Sequence, residues 1–323
     1  MSTLAEHISL NQVTDHYVST HHPQRMTNPA PVAYGGYSIA LAIHAAYKSL
    51  PGDFHLYSAV GHYLRPVSTA ARLIIKPRLL RHTRNFITYR IAIEQETPDS
   101  TQPRECLEIL ADFHHDEPSL LSYSAPPTRP YSHWKDCPPW TAVLDDQWVK
   151  PGRMPSPEAR TFNTVFGLPR HLYEGRLCPE GIMAQNLYGM VKHADTSQDQ
   201  LPPTAKTSAD WLRVLHPLST EGEEMGALGL VMDSFLSILA LTHNHMFFDD
   251  TGAVASLDFA LRVFQADVRM EEWHLRELVN HEAGRGRTYS ESRLWDEKGG
   301  LVACMTQQSI LRVPNVKGER AKI

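Results

Sequence analysis

Tyr34-Gly35-Gly36-Tyr37-Ser38-Ile39-Ala40-Leu41-Ala42-Ile43-His44-Ala45-Ala46-Tyr47 is apolar on nearly every helical face, and β-like segments follow it near 55–66, 72–80, 86–96 and 105–115. The order returns toward the carboxyl end. Met225-Gly226-Ala227-Leu228-Gly229-Leu230-Val231-Met232-Asp233-Ser234-Phe235-Leu236 precedes similar segments near 253–264, 272–281, 287–296 and 301–312. A helix with no polar face must be enclosed, and the antiparallel meander after each copy is what can enclose it. The chain reads as one module written twice, an α+β architecture of a long helix wrapped by a sheet. Aligning Gly36 with Gly229 sets Ala40 opposite Asp233, so the carboxylate belongs to one copy and one working site per chain is expected.

The strand readings rest on alternation and β-branched content. Phe86-Ile87-Thr88-Tyr89-Arg90-Ile91-Ala92-Ile93 and Leu301-Val302-Ala303-Cys304-Met305-Thr306 show both. Pro77 and Pro66 predict an edge or a bulge where they fall. Arg81-His82-Thr83-Arg84-Asn85 and Glu282-Ala283-Gly284-Arg285-Gly286-Arg287 are hairpin turns at equivalent places in the two copies. Between the copies lie Ala125-Pro126-Pro127-Thr128-Arg129-Pro130, Cys137-Pro138-Pro139 and Pro151-Gly152-Arg153-Met154-Pro155-Ser156-Pro157, which predict an extended connector crossing a surface. The expected division is an N-terminal module at 1–120, a Pro-rich linker at 121–160 and a C-terminal module at 161–323. Met183–Val191 is expected to begin the second module, with 195–203 an exposed excursion.

A length of 323 residues suits two such modules and a connector. The 31 basic and 36 acidic residues, with no basic run interleaved with aromatics, argue against a nucleic-acid partner. Cys106, Cys137, Cys178 and Cys304 show no C-x-x-C spacing and read as free thiols. No signal peptide or 18-residue apolar span is evident, so no membrane span is expected. Ala321-Lys322-Ile323 has the small–basic–aliphatic form of a peroxisomal import tripeptide, so the expected location is peroxisomal or cytoplasmic. His114-His115 and His243-Asn244-His245 lack a third ligand at useful spacing, so no metal is expected. Gly36-Tyr37-Ser38-Ile39-Ala40 nearly spells G-x-S-x-G, but Ser38 lies within a helical run instead of a strand-to-helix elbow, which sets a serine hydrolase aside.

Several segments carry a resemblance, in order, over about two thirds of the chain. They are Gly35-Gly36, His62-Tyr63-Leu64-Arg65-Pro66, Arg84-Asn85-Phe86, Val254-Ala255-Ser256-Leu257-Asp258, Glu272-Trp273 and Leu301-Val302-Ala303-Cys304-Met305-Thr306-Gln307-Gln308. The set resembles the type II acyl-CoA thioesterase (TesB-like) family. That resemblance implies a double hot-dog fold, acyl-CoA substrates, lipid metabolism, no cofactor and room for homo-oligomers. It also implies a catalytic Asp on the second helix, a Ser or Thr on the next strand and a Gln on the last, here Asp233, Ser256 and Gln307. Where the family has an aromatic–His–Arg–Pro run, this chain has Leu261-Arg262-Val263-Phe264-Gln265-Ala266. That departure leaves open a hydrolase, cyclase or acyl-transfer protein releasing a natural-product acyl or polyketide chain. A non-catalytic acyl-binding module is the third reading.

The residues support the first reading by themselves. Desolvating a carboxylate within Leu230–Leu236 costs on the order of several kcal/mol unless partners compensate. Such a group suits a general base beside a water, oriented by the hydroxyl of Ser256 and the amide of Gln307. Backbone N–H groups near a helix start would stabilise the oxyanion. Arg65, Arg84 and Arg287, each near a turn, are the candidates for binding the phosphates of CoA.

Overall fold

The computed structural model describes residues 3–26, 32–98, 100–167 and 169–314. The import-like Ala321-Lys322-Ile323 lies outside the described residues. Two long helices, Gly35–Ser49 and Glu221–Asp233, lie against one another under a twelve-stranded antiparallel sheet. The first half supplies β1 (Leu10–Val13), β2 (His16–Ser19), β3 (His55–Tyr63), β4 (Leu73–His82), β5 (Phe86–Gln95) and β6 (Arg104–His114). The second supplies β7 (Tyr173–Leu177), β8 (Thr207–Val214), β9 (Ala253–Val263), β10 (His274–Gly284), β11 (Arg287–Asp296) and β12 (Leu301–Arg312). The order is β1-β2-β4-β5-β6-β3-β9-β12-β11-β10-β8-β7. Outward from the β3–β9 seam the halves match strand for strand, so this is a double hot-dog fold.

The seam is centred on Val60 opposite Ala260, with Ser58 opposite Arg262 and His62 opposite Asp258. The likeness of the halves extends to their irregularities. The β3–β6 ladder slips between Leu56 and Ser58, pairing Ser58 with Asp112 and Leu56 with Phe113. The β9–β12 ladder slips at the same place, pairing Asp258 with Gln308 and Ser256 with Ser309. Leu56 is therefore the counterpart of Ser256. Ala111, opposite Ala59, is the counterpart of Gln307, opposite Phe259.

The first helix is enclosed as its composition requires: Gly36 through Ala46 are all buried. The second starts at Thr220, whose hydroxyl accepts from the Glu223 N–H while the Glu223 carboxylate accepts from the Thr220 N–H. Glycines bring the two helices close and antiparallel. A Cβ at Gly226 would lie 3.1 Å from the Ala40 carbonyl oxygen, and one at Gly222 would lie 2.7 Å from Tyr47 Cβ. Ala40 thus faces Gly226 at the middle of the pair, and Tyr47, not Ala40, stands in the first half where Asp233 stands in the second. The Gly36–Gly229 alignment fails because Gly222, Gly226 and Gly229 offer competing frames. The conclusion that one half carries the acid is unchanged.

The helix was expected to run on past Asp233, but it stops there. Ser234 is extended, Phe235 has φ +72°, and Leu236–Ile238 and Leu239–Thr242 form separate short turns. Taken through the break, Glu221–Thr242 has the length and hydropathy of a membrane span, but 94% of its most apolar window is buried within the protein. It is core.

The connector is extended only in its first part. Residues 125–139 cross the outer face of the second half-sheet, where Ser132 O accepts from Trp211 Nε1 and Ala125 O from Trp295 Nε1. They cover a second apolar cluster containing Cys137, Cys178, Trp211, Trp273 and Trp295. Trp140–Ala142, the wide-turned Val143–Val149 and Ser156–Val165 are helical, against expectation. Pro155 and Pro157 sit at the cap and first turn, where proline starts a helix. The sheet of the second half begins at β7, ahead of Met183–Val191. The 195–203 excursion is anchored by buried Gln198, which bonds the backbone of Glu180 and Thr207.

Candidate active site

Asp233 is the last residue of the second helix and only 5% exposed. Because the helices run antiparallel, its carboxylate reaches the start of the first helix and receives the Gly36 N–H, where the helix dipole carries partial positive charge. Gln307, on the inner face of β12, donates Nε2 to Asp233 Oδ1 at 2.5 Å. The Tyr63 hydroxyl, from the end of β3 across the seam, donates to the same oxygen at 3.2 Å. Gln307 Oε1 accepts from Ser256 Oγ at 3.1 Å and Ser309 Oγ at 3.2 Å. Two hydroxyls on the amide oxygen fix which end of the amide meets the carboxylate.

The electrostatics follow from this packing. Burial pushes the Asp233 carboxyl up to about 6, against the pull of Gln307, Tyr63, the Gly36 N–H and the Tyr34 hydroxyl beside it. Burial and the neighbouring carboxylate raise Tyr34 and Tyr63 well above the usual phenol range, so both remain proton donors. The arrangement has a base that ionises near neutrality, donors that hold its orientation, and a half-buried hydroxyl at the end of the chain.

The three residues picked from sequence for catalysis therefore meet in one hydrogen-bonded line, Ser256 to Gln307 to Asp233. The first half has Leu56, Ala111 and Tyr47 at the matching positions, so the polar set exists once. The arginines fare differently. Arg65, two residues beyond Tyr63, is exposed and donates Nη1 to the Glu105 carbonyl at 2.8 Å. Arg287 is opposite Ile310, on the outer face, beside a depression of about 250 Å³ lined also by Arg285, Thr288 and Gln308. Arg84 is remote. Phe86 aligns through His114 with His55, at the opposite end of β3 from Tyr63, roughly 25 Å away at the usual strand rise. Its turn is the counterpart of Arg285's and serves the half without the acid.

Sequence reasoning missed Tyr34 and Tyr63. Both stood within quoted segments, but the direction of Tyr63 depends on strand register, and that of Tyr34, the cap of the first helix, on the pairing of the two helices, where its hydroxyl donates to the Leu230 carbonyl. Oxyanion donors were expected among backbone N–H groups near a helix start, with no residue named; at the start of the first helix the Gly36 N–H is directed at Asp233. His243, a candidate only for a metal, is fully buried and held down to about 3 by burial. It is a neutral link between Ser208 and Asn280. Among the described residues no three His, Cys, Asp or Glu side chains are grouped to hold a metal.

Residues 22–114 match the acyl-CoA thioesterase N-terminal domain and residues 123–311 the acyl-CoA thioesterase C-terminal domain. The chain belongs to the acyl-CoA thioesterase family and is a thioester hydrolase. Acyl-CoA thioester is the substrate class the family implies. Among solved structures it is similar to acyl-CoA thioesterase II TesB2 from Mycobacterium marinum, with 19% identity, TM-score 0.68, and 97% of this chain and 99% of that chain covered. A tesB protein from Mycobacterium avium subspecies paratuberculosis gives 14% identity, TM-score 0.68 and coverage of 95% and 98%. A hot-dog protein of unknown function from Alicyclobacillus acidocaldarius gives 14%, 0.66, 97% and 98%. At these identities the likeness is one of fold. No curated protein matches the chain.

Proposed function

We propose that the chain hydrolyses acyl-CoA to free acid and CoA by direct attack of a water activated by Asp233. Asp233 takes the proton as the water oxygen bonds to the thioester carbonyl carbon. The C–S bond then breaks and the thiolate leaves, taking the proton that Asp233 received from the water and so restoring the carboxylate. Gln307 holds the carboxylate and, with Ser256, orients the water; Tyr63 supplies a second donor that keeps the carboxylate from rotating. No covalent enzyme intermediate is required.

The observation that carries this reading is the restriction of the Ser256–Gln307–Asp233 line to one of two otherwise matching halves. A structural requirement of the fold would appear in both. Thiol release from straight-chain, branched and aromatic acyl-CoAs, compared between the parent and Asp233→Asn, tests it. Loss of hydrolysis with retained folding is expected; unchanged turnover removes Asp233 from the reaction. Including carrier-protein thioesters separates CoA-ester hydrolysis from release of a natural-product chain, the reading left open by Leu261–Ala266.

A further inference from the structure

Directly behind the acid lies a buried ion pair that the reaction as described does not use. Arg276, on β10, and Asp210, opposite it on β8, are both 0% exposed. Arg276 Nε donates to Asp210 Oδ1 at 2.9 Å and Nη2 to Oδ2 at 2.7 Å. The remaining amino group, Nη1, turns to the end of the second helix, donating to the Val231 carbonyl at 2.7 Å and to the carbonyl and hydroxyl of Ser234. Asp233 lies between those two acceptors. The guanidinium also stacks over Phe235, 5.5 Å from its ring centre, where the backbone turns left-handed.

The first half shows that the fold does not need this pair. The register that sets Arg276 opposite Leu294 and Asp210 sets Ile75 opposite Ile93 and Tyr17 in the first half. Ile75 and Tyr17 are buried there and pack without a charge. Burying two charges costs free energy that apolar residues of similar size avoid. The pair therefore occurs only in the half that carries the acid, touching the turn that carries it.

We propose that Arg276, clamped by Asp210, is a positioning residue for Asp233: it ties down the last carbonyls of the helix, aims the carboxylate at Gln307 and Tyr63, and sets the local charge. The groups facing Asp233 are Gln307 on β12, Tyr63 on β3, and Tyr34 with the Gly36 N–H at the first helix. Tyr173 on β7 is near Tyr34, and the Arg276–Asp210 pair lies at the helix end, held there by the bonds of Arg276 to Val231 and Ser234. Of these, only the pair carries full charge at neutral pH, so removing one member alone would act on Asp233 with the opposite sign to removing the other.

The inference rests on Asp233 acting as the base, and the test separates the two. Thiol release from the best acyl-CoA of the panel is followed against pH in Arg276→Met, Asp210→Asn, Asp210→Leu/Arg276→Met and Asp233→Asn. The double variant removes the pair without stranding a charge. It is expected to melt cooperatively near the parent, with kcat lower by at least about tenfold and KM changed by less than about threefold. Arg276→Met should move the acid limb of the pH profile upward and Asp210→Asn should move it downward, each by about half a pH unit or more. A role in folding alone predicts no opposed movement. A double variant with kcat within about twofold of the parent, one that fails to fold, or two limbs that stay in place would each overturn the proposal. Full hydrolysis by Asp233→Asn would instead overturn the reading of the base.

Discussion

Asp233 gives up hydration where it is buried at the end of the second helix, and recovers part of it from Gln307, Tyr63 and the first turn of the opposite helix. The recovery is incomplete, which leaves the carboxyl near 6. Two results are expected. kcat/KM should fall as pH drops through about 6, because the base is then protonated. Asp233→Asn should lower kcat by roughly 10²–10⁴. The sign for stability is opposite. The native carboxyl binds its proton more tightly than the unfolded chain, so its contribution is fully present below the unfolded value near 4 and is lost as pH rises through about 6. Thermal melts of parent and Asp233→Asn should show the variant relatively more stable at pH 8 than at pH 4. Gln307→Met, which removes a donor from the carboxylate, should push the activity limb above 6; a limb that stays put would mean the amide does not act on the charge. Asp233 was legible from sequence because a charge inside an apolar helix stands out anywhere. Arg276 and Tyr63 were not, because a polar residue in a strand faces in or out according to register, and register is a property of the assembled sheet.

At the scale of elements, the acid is placed by one helix lying on another. Gly226 is where they approach most symmetrically, against Ala40. Gly226→Val should force the pair apart, lowering stability by about 1–3 kcal/mol and lowering kcat as well, because the Asp233 end would shift from Gly36. Chemical denaturation and turnover, measured together, check this. A stable variant with full activity would show that the helix spacing has slack. The apolar helices were readable from the length of their unbroken apolar runs, and the meander from the alternation of period 2 in both copies. The helices at 140–165 were not, because proline is read as a breaker although Pro155 and Pro157 lie where it initiates. The end of the second helix was hidden for another reason: Arg276, 43 positions past Asp233, supplies the acceptors' partner, and nothing local marks it.

For the whole molecule, the β3–β9 seam makes one sheet of two halves, and each half contributes to the site: Tyr63 and the Gly36 N–H from the first, Asp233, Ser256 and Gln307 from the second. Residues 1–120 and 121–323 produced separately should each expose the β3 or β9 edge and aggregate. Produced together they should co-purify and hydrolyse acyl-CoA, and activity from 121–323 alone would contradict the shared site. The matching bulges at Leu56–Ser58 and Gln308–Ser309 carry a consequence of their own. They record a repeat whose two members have taken different duties, with Tyr47, Leu56 and Ala111 offering no carboxylate, hydroxyl and amide line where the other member has Asp233, Ser256 and Gln307. The first member is not a spare free to drift. Inactivating lesions in this chain should fall on both sides of the seam, although the acid lies on one.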